Sequence, residues 1–280
     1  TRGRGGSDYS ATLLGAALDA EEVQIWTDVP GVLSADPRKV PSARVVSQVS
    51  YDEAQELAHF GAKVLHPRTI RPAVAQNIPV RILSTFAPTQ SGTVVTATAS
   101  GQRIKAVTSL KGLILLTLDV PELEDLAPAA SAVFRVMHED RIEIVTVSQS
   151  SSRRRLTFLI DAVLGGCARL QQRLEEAFAD IEAIVHCEEN VAVLAAVGDG
   201  AADTPSALSR MLAVLHRANV PVLATNQQTS NAAMVVAVPE HAADRAVAVV
   251  HDEFIRSSHQ RRPTTNRRRQ QLIGEPLRVG

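Results

Sequence analysis

The sequence predicts an α/β protein in two parts, an incomplete α/β sheet followed by a duplicated unit of strands and helices. Two observations predict this fold. Before residue 100, amphipathic helices alternate with short buried strands, which is typical of an α/β layer with a partly parallel sheet. After residue 100, the pattern of apolar residues occurs twice along the chain.

The composition excludes several other classes of protein. The 280 residues are 45% hydrophobic and 21% charged, with a net charge of -1, so the chain is neither collagen, nor disordered, nor a coiled-coil rod. No stretch reaches the roughly 18 uncharged apolar residues of a membrane span. Aromatic residues make up only 3%, so the cores must be built from Ala, Val, Ile and Leu.

The cysteines and the start of the chain predict a location. Cys167 and Cys187 are the only cysteines, which is far from a disulfide framework, and neither lies in a zinc-binding pattern. The chain also starts without the apolar core of a signal peptide. We therefore expect a protein of the reducing cytoplasm.

The last stretch of the chain differs from the rest in charge. Residues 256–280 contain seven Arg and one Glu and show no apolar periodicity. This composition predicts a disordered basic tail or linker. It contains no interleaved aromatic residues, so it does not favour nucleic-acid binding.

Two helices and two strands are expected in the first part. Asp8–Ala20 has one apolar face, and Ser7-Asp8 is expected to start this helix. In the second helix, Ser50–Phe60, Ser50 caps the N-terminus and Glu53 completes a capping box. The expected strands are Val23–Trp26 and Ile78–Leu83.

The duplication becomes visible when the chain is shifted along itself by 78 positions. Leu115-Leu116 then falls on Val193-Leu194 and Gln149 on Gln227, without a gap. Each copy is expected to read strand, helix, strand, strand, helix, and the two copies are expected to pack edge to edge. The elements of the first copy are Leu113–Val120, Ala129–His138, Glu143–Val147, Leu156–Asp161 and Cys167–Phe178. Those of the second are Val191–Val197, Pro205–Arg217, Val220–Thr225, Ala233–Val238 and His241–Phe254.

A glycine-rich stretch, Arg4-Gly5-Gly6-Ser7-Asp8, leads directly into the first predicted helix. Glycine backbone and the N–H groups of a helix N-terminus would face the same space, which suits an anion. The Arg4 guanidinium suits a carboxylate or phosphate. The same five residues fit equally well a plain loop in which Ser7 or Asp8 caps the helix.

Three more polar stretches follow predicted strands or end a helix: Trp26–Gly31, Asp36-Pro37-Arg38 and Gly61–Pro67. Open α/β sheets bind ligands at such positions. Taken singly, Asp28 fits a turn residue and Lys63 fits a solvated cation at a helix end. The ordered set of stretches is what indicates a binding site.

Together, Arg4–Asp8, Trp26–Gly31, Asp36–Arg38 and Phe60–Thr69 resemble aspartate kinase (aspartokinase), of the amino-acid kinase family. The duplicated half resembles the tandem ACT regulatory domains of aspartokinases. The resemblance implies a partial amino-acid kinase three-layer α/β sheet followed by two ferredoxin-like (βαββα) ACT domains. The implied boundaries are 1–98 for the C-terminal part of the kinase domain, 103–186 and 188–255 for the ACT domains, and 256–280 for the tail.

The resemblance also implies a kinase site. The residues implied to bind aspartate are Arg4, Gly5, Gly6, Ser7 and Asp8. The residues implied to bind the nucleotide are Thr27, Asp28, Leu33, Arg38 and Lys63, of which Arg38 and Lys63 are catalytic. Leu33 departs from the family, which often has a Tyr near the adenosine.

The implied reaction is ATP-dependent phosphorylation of the side-chain carboxylate of L-aspartate, at the start of lysine, threonine and methionine biosynthesis. This carboxylate, with a reference pKa of about 3.9, is ionised at neutral pH, so its attack on the γ-phosphate needs no general base. Lys63, Arg38 and the Mg²⁺ that accompanies ATP would neutralise the transferring group. No metal held by the protein itself is expected.

The ACT resemblance implies feedback by an amino acid and a homodimer formed through the ACT domains. For the effector we expect threonine first, lysine second and no effector third. The implied effector-binding residues are Gln149, Asn219 and Gln227. An amide side chain can both donate to and accept from a hydroxyl or a carboxylate. The two glutamines also fit solvated turn residues, and Asn219 also fits a turn cap.

The family's Lys-Phe-Gly-Gly-Thr-Ser type of loop does not occur in this sequence. We therefore expect an N-terminally truncated kinase domain that is inactive on its own. The alternative is a non-catalytic ACT regulatory subunit that binds an amino acid.

Overall fold

The structure, a computed structural model, describes residues 5–62, 67–98, 104–121, 126–178, 182–198, 205–227 and 232–256. The expectations for Arg4, Lys63 and residues 257–280 lie outside these ranges. None of the helices in the described ranges combines the length and the hydropathy needed to cross a membrane.

The first part of the molecule, up to residue 98, is a mixed four-stranded sheet with helices. Its strand order is β1-β3-β4-β2, in which β1 runs parallel to β3, β2 runs parallel to β4, and β3 and β4 are antiparallel. The predicted partly parallel sheet is therefore confirmed. The elements are α1 (Gly6–Ala17), β1 (Val23–Thr27), β2 (Gln48–Ser50), α2 (Tyr51–His59), α3 (Pro67–Ala75), β3 (Val80–Ser84) and β4 (Thr93–Thr96).

The first helix begins and ends earlier than predicted. Its N-cap is Gly5, with a φ of 79° that glycine adopts readily, and no side chain caps the helix. The prediction that Ser7 or Asp8 starts the helix is therefore wrong, because both residues already lie in its first turn. At the other end Asp19 takes a left-handed conformation, with φ 51°, which stops the helix before Ala20.

The capping box predicted for the second helix is confirmed. Ser50 Oγ accepts a hydrogen bond from the Glu53 N–H at 3.1 Å, and Glu53 Oε2 accepts one from the Ser50 N–H at 2.7 Å. Two of the N–H groups that a helix start leaves without partners are thereby satisfied.

The second part is a single six-stranded antiparallel sheet with four helices among its described residues. The strand order is β6-β7-β5-β8-β10-β9. The elements are β5 (Ala106–Asp119), α4 (Ala127–Glu139), β6 (Ile144–Ser150), β7 (Arg155–Asp161), α5 (Gly166–Ala177), β8 (Ile184–Val197), α6 (Pro205–Arg217), β9 (Ala224–Gln227), β10 (Ala233–Pro239) and α7 (Ala243–His251). A π-helical turn, Asp252–Arg256, follows α7.

The two copies share their long central strands, which the sequence did not predict. The register between β5 and β8 is irregular between Leu110 and Leu115, around Gly112 with φ 77°. We call α4, β6, β7 and α5, with Leu113–Asp119 and Ile184–Glu188, the first copy. We call α6, β9, β10 and α7, with Val191–Val197 and Ala106–Leu110, the second copy. Each copy is thus four-stranded. Besides its five predicted elements, the first copy contains the strand segment Ile184–Glu188, and the second copy contains Ala106–Leu110.

Three groups of buried apolar side chains hold the molecule together. The helices of the first copy enclose one group, which includes Leu116, Phe158 and Leu174, and those of the second copy enclose another, which includes Leu194 and Met211. The third group joins the opposite face of the sheet to the first part of the molecule. It contains Leu57 and Phe60 together with Val191, Val193 and Val235.

Buried polar contacts cross the same junction. Lys105 Nζ lies 2.7 Å from Glu53 Oε2, and both side chains are almost fully buried, with 4% and 1% of their surface exposed. Ser34 Oγ and His251 Nε2 are 2.9 Å apart, and both residues are buried. Glu53 therefore caps α2 and also pairs with the segment that leads into β5.

The two cysteines form a disulfide between the start of α5 and β8, with their Cα atoms 5.7 Å apart. The sequence analysis did not predict this pair, because two cysteines make no disulfide framework. The fold brings them together because β8 lies beside β5 in the first copy, where α5 packs against it.

Candidate functional site

The glycine-rich loop leads into α1, whose far end packs against the start of the first strand. A short connection joins Ala17 to Val23, and Gly15 of α1 lies against Val23, because a Cβ at residue 15 would be 2.4 Å from Val23 Cγ2. Thr27 and Asp28 follow at the carboxyl end of β1, which pairs in parallel with β3. The carboxyl ends of parallel strands are where α/β proteins bind ligands.

The first turn of α1 presents backbone N–H groups without a side-chain cap. Ser7 Oγ donates to Asp8 Oδ1 at 3.1 Å, and Ser10 Oγ donates to the Gly6 carbonyl at 2.8 Å. Ser7 is exposed, and Gly5, Gly6 and Asp8 are half-buried. An anion can be bound by these N–H groups, while the Asp8 carboxylate can accept from an ammonium group.

The end of β1 is fixed by its parallel neighbour. The Thr27 carbonyl accepts hydrogen bonds from the Thr85 N–H at 2.9 Å and from Thr85 Oγ1 at 3.1 Å. The Thr27 hydroxyl donates to Asp28 Oδ1 at 3.1 Å, and Asp28 is exposed. The carboxyl ends of β1 and β3 thus form one rigid edge, with Asp28 pointing into solvent.

Arg38 is bound to Asp36 in this structure. Its Nη2 lies 2.7 Å from Asp36 Oδ2, its Nε lies 3.0 Å from Oδ1, and its side chain is 88% exposed. The Arg38 guanidinium holds the pKa of Asp36 below its usual value, and Asp36 raises the pKa of Arg38. Because the pair is exposed, Arg38 can exchange Asp36 for a phosphate at little cost.

Leu33 lies in the loop before Asp36 and is half-buried. It forms an isolated β-bridge with Val45, and the neighbouring Ser34 N–H donates to the Arg44 carbonyl at 2.8 Å. The position therefore has a fixed backbone, which suits a wall of a binding site.

The end of α2, which leads towards Lys63, is held by the second part of the molecule. The Phe60 carbonyl accepts from Thr108 Oγ1 on β5 at 3.1 Å, and Gly61 adopts a φ of 97°. A Cβ at residue 61 would lie 3.2 Å from the Ser109 carbonyl oxygen, so glycine permits this close approach. Movement of β5 would therefore be transmitted to the end of α2.

Of the predicted effector residues, two lie on outer strands of the sheet and one lies in a turn. Gln149 is exposed on the outer strand β6, opposite Leu156, and Gln227 is the last residue of β9, opposite Met234. These outer strands approach within 8 Å between Cα atoms, which the sequence did not indicate. Asn219 lies in the turn before β9, with φ 52°, so the length of that strand separates it from Gln227.

The polar junction residues were missed by the sequence analysis. Asp244 on α7 binds both Lys39, at 2.9 Å, and Lys111, at 2.9 Å, and these lysines keep its pKa below the usual value. Burial lowers the pKa of His251, to which Arg44 contributes and which Asp252 opposes. No local pattern predicts such pairs, because their partners lie far apart in the sequence. Within the described residues, no group of three or more His, Cys, Asp or Glu side chains could hold a metal ion.

Comparison with known families and proteins agrees with this architecture. Residues 1–84 match the Amino acid kinase family, and residues 194–254 match an ACT domain. A bifunctional aspartokinase/homoserine dehydrogenase of Haemophilus influenzae is 35% identical over 89% of this chain, which covers 31% of that protein. The lysine-sensitive aspartokinase 3 of Escherichia coli is 33% identical over 91% of this chain, which covers 56% of that protein.

Solved structures show the same relationship. Clostridium acetobutylicum aspartate kinase superposes with a TM-score of 0.83 at 25% identity, over 91% of this chain and 59% of that one. Escherichia coli aspartokinase III, in complex with aspartate and ADP, superposes with a TM-score of 0.76 at 31% identity, over 90% of this chain and 56% of that one. The resemblance to aspartokinases and the predicted fold class are therefore confirmed. The chain spans less than two thirds of each of these relatives.

Proposed function

We propose that this chain, which carries an amino-acid kinase segment and ACT domains like those of aspartokinases, phosphorylates the side-chain carboxylate of L-aspartate with ATP as part of such an enzyme. The product would be 4-phospho-L-aspartate, which begins lysine, threonine and methionine biosynthesis. The observation that carries the proposal is the uncapped first turn of α1, which we place at the carboxyl edge of β1 and β3.

The residues at this edge can bind a dicarboxylic amino acid without a catalytic base. We assign the carboxylates of aspartate to the N–H groups of Gly6 and Ser7 and to the Arg4 guanidinium. We assign its ammonium group to Asp8. Orientation and charge neutralisation then supply the catalysis, since the attacking carboxylate is already ionised.

The nucleotide would bind at the end of β1 and along the loop after it. We assign it to Thr27, Asp28 and Leu33, with Arg38 and Lys63 on the phosphates and Mg²⁺ entering with ATP. Arg38 would leave Asp36 to do so, and in the sequence Lys63 comes three positions after Phe60, whose carbonyl accepts from Thr108 of β5. The ADP complex of the Escherichia coli relative supports a nucleotide as the second substrate.

Regulation would act through the second part of the molecule. We assign the effector, threonine or lysine, to Gln149, Asn219 and Gln227, and we place a homodimer contact on the outer strand β6. A relative that is named lysine-sensitive, and a structure of aspartokinase III with lysine and aspartate, support an amino-acid effector. We place the protein in the cytoplasm.

The alternative is a regulatory subunit that binds an amino acid and has no catalysis of its own. The observation that favours it is the difference between the two parts: the second is a six-stranded sheet with helices, whereas the first has four strands among the described residues. This chain spans 56% of aspartokinase 3. We therefore infer that the 280 residues alone turn over aspartate too slowly to be useful.

The test is an acyl-phosphate trapping assay with hydroxylamine, Mg²⁺, ATP and aspartate, run on the native protein that contains these residues. Aspartate should yield a hydroxamate and glutamate should not. Asp8→Asn should lower kcat/KM by about 10- to 100-fold, because it removes a charge-assisted hydrogen bond to the substrate. Asp19→Asn is the matched control, since Asp19 is exposed and left-handed and lies beyond the helix. Equal rates for the two variants would contradict the assigned site, and the absence of hydroxamate would favour the regulatory subunit.

A further inference from the structure

The two cysteines of the chain are joined across two elements of the first copy. Cys167 lies in the first turn of α5, and Cys187 lies in the half of β8 that pairs with β5. Their Cα separation of 5.7 Å is within the usual range for a disulfide. We propose that Cys167 and Cys187 form a reversible thiol–disulfide modification site, whose reaction partner is a low-molecular-weight thiol or its disulfide, of the glutathione class.

The sulfur atoms lie where such a reagent can reach them. Both cysteines are half-buried and rest against the border of the first copy's apolar core, not inside it. A disulfide enclosed in a core is inert, whereas one at the border is open to attack by a dissolved thiolate. The position therefore permits exchange without unfolding of the first copy.

A second contact holds the same two elements together and makes the bond reversible. The Cys167 N–H donates to Glu189 Oε1 at 2.6 Å, so the start of α5 stays attached to the end of this half of β8. Gly166, with φ 63°, permits the contact, since a Cβ there would lie 2.4 Å from Glu189 Oε1. After reduction, the two thiols therefore remain within reach of each other.

The exchange is balanced with glutathione disulfide as the oxidant. The thiolate of one cysteine attacks glutathione disulfide, forms a mixed disulfide and releases one glutathione thiolate. The thiolate of the other cysteine then attacks the protein sulfur of the mixed disulfide and releases the second glutathione. Two S–H bonds are lost from the protein and one S–S bond forms, while two electrons and two protons convert glutathione disulfide into two thiols.

The bond acts on a strand that both copies and the first part of the molecule share. Beyond Cys187, β8 continues to Val191 and Val193, which pack against Leu57 and Phe60. Closing the loop between the cysteines, 20 positions apart, restricts the unfolded chain. Oxidation should therefore stabilise α5 and the first half of β8, next to the junction with the first part.

The test begins with the mass of the intact 280-residue chain. After incubation with glutathione disulfide, the chain should be about 2 Da lighter than the dithiothreitol-reduced chain and should contain no reactive thiol. Dithiothreitol added to the folded protein should restore both thiols. Three outcomes would each overturn the proposal: two free thiols after oxidation, one glutathione attached to each cysteine, or a bond that dithiothreitol does not reduce while the protein is folded.

A thermal measurement tests what the bond does. Oxidised wild-type chain should melt about 5–10 °C above the reduced chain, and the double variant Cys167→Ser, Cys187→Ser should melt with the reduced chain under both conditions. Ala168→Ser, on the same turn of α5, is the matched control and should keep the redox-dependent difference. Identical melting of oxidised and reduced wild type would overturn the proposed stabilisation.

If the double variant does not fold, amide hydrogen exchange of the wild type decides. Reduction should speed exchange in α5 and β8 and not in β1 or β3. Unchanged exchange in α5 and β8 would overturn the proposed stabilisation. Neither readout depends on kinase activity.

Discussion

The two copies of the second part have the same topology and differ in how their strands are buried. In the second copy every residue of Val191–Val197 has 0% of its surface exposed, and Ala233–Val238 is buried throughout. In the first copy, by contrast, the matching strands Leu113–Asp119 and Arg155–Ile160 include half-buried positions. The two sheets therefore lie in different environments.

The first part of the molecule causes this difference. Its helix α2 places Leu57 and Phe60 on the face of the sheet that the helices of the second copy leave open. Val191–Val197 and Ala233–Val238 are consequently buried on both faces and read as continuous apolar runs, whereas their counterparts in the first copy include the half-buried Thr117 and Thr157. A difference in burial between matching strands of two copies thus shows which copy packs against a neighbouring part of the molecule.

The largest expected effect comes from the buried ion pair at this junction. Lys105→Ala should lower the free energy of unfolding by about 3–5 kcal/mol, because Glu53 would keep a buried charge without its cation. Arg155→Ala removes the cation of the Arg155–Asp119 pair in the first copy, where Arg155 is 39% exposed, and should have a much smaller effect.

Urea unfolding of both variants measures the difference. Lys105→Met keeps the length of the side chain and should also be strongly destabilising, which separates the lost charge from lost packing. Equal losses of unfolding free energy for Lys105→Ala and Arg155→Ala would show that the ion pair at the junction does not behave as a buried one.

The next effect concerns apolar contact across the junction. Leu57→Ala should cost about 2–5 kcal/mol, because it opens a cavity between α2 and the second copy. Val147→Ala is the matched change in the first copy, where the side chain is 43% exposed, and it should stay within about 0.5 kcal/mol. The change in unfolding free energy in urea checks both, and a cost below 1 kcal/mol for Leu57→Ala would contradict the shared core.

The smallest expected effect is a pH dependence from His251. Burial, the main cause, lowers its pKa in the folded protein, while the unfolded chain keeps a value of about 6.5. When the pH falls through that value, the unfolded chain binds a proton that the folded protein does not, so stability falls. His251 Nδ1 has no hydrogen-bond partner among the described residues, so no hydrogen bond from Nδ1 stabilises the protonated ring.

Melting temperatures between pH 7.5 and pH 5 check this prediction. His251→Gln should reduce the loss of stability in acid, while His216→Gln, at an exposed position of α6, should keep it. The same acid dependence in both variants would mean that His251 does not contribute to it.

The sequence predicted the features that depend on neighbouring residues. The capping box of Ser50 and Glu53 needs residues three positions apart, and the duplication needs only a repeated apolar pattern, so both could be found. The start of α1 was misplaced because Ser and Asp are common caps, and a left-handed Gly5 takes that position instead.

Features that depend on distant residues could not be found in this way. Lys105 pairs with Glu53 and Cys167 pairs with Cys187 only because the strands bring them together. The shared strands β5 and β8 follow from their irregular pairing near Gly112, which a pattern of apolar residues does not encode. For the candidate site, the sequence indicated the stretches, and the structure added the uncapped first turn of α1 and the exposed pair of Asp36 and Arg38.

The most direct test of the whole account is amino-acid inhibition of aspartate phosphorylation in the native protein. We predict that threonine or lysine lowers the rate of hydroxamate formation, and that Gln149→Ala raises the concentration needed for half inhibition. The claim that the second part regulates a kinase site in the first would be contradicted if neither threonine nor lysine changed this rate, at aspartate concentrations up to saturation.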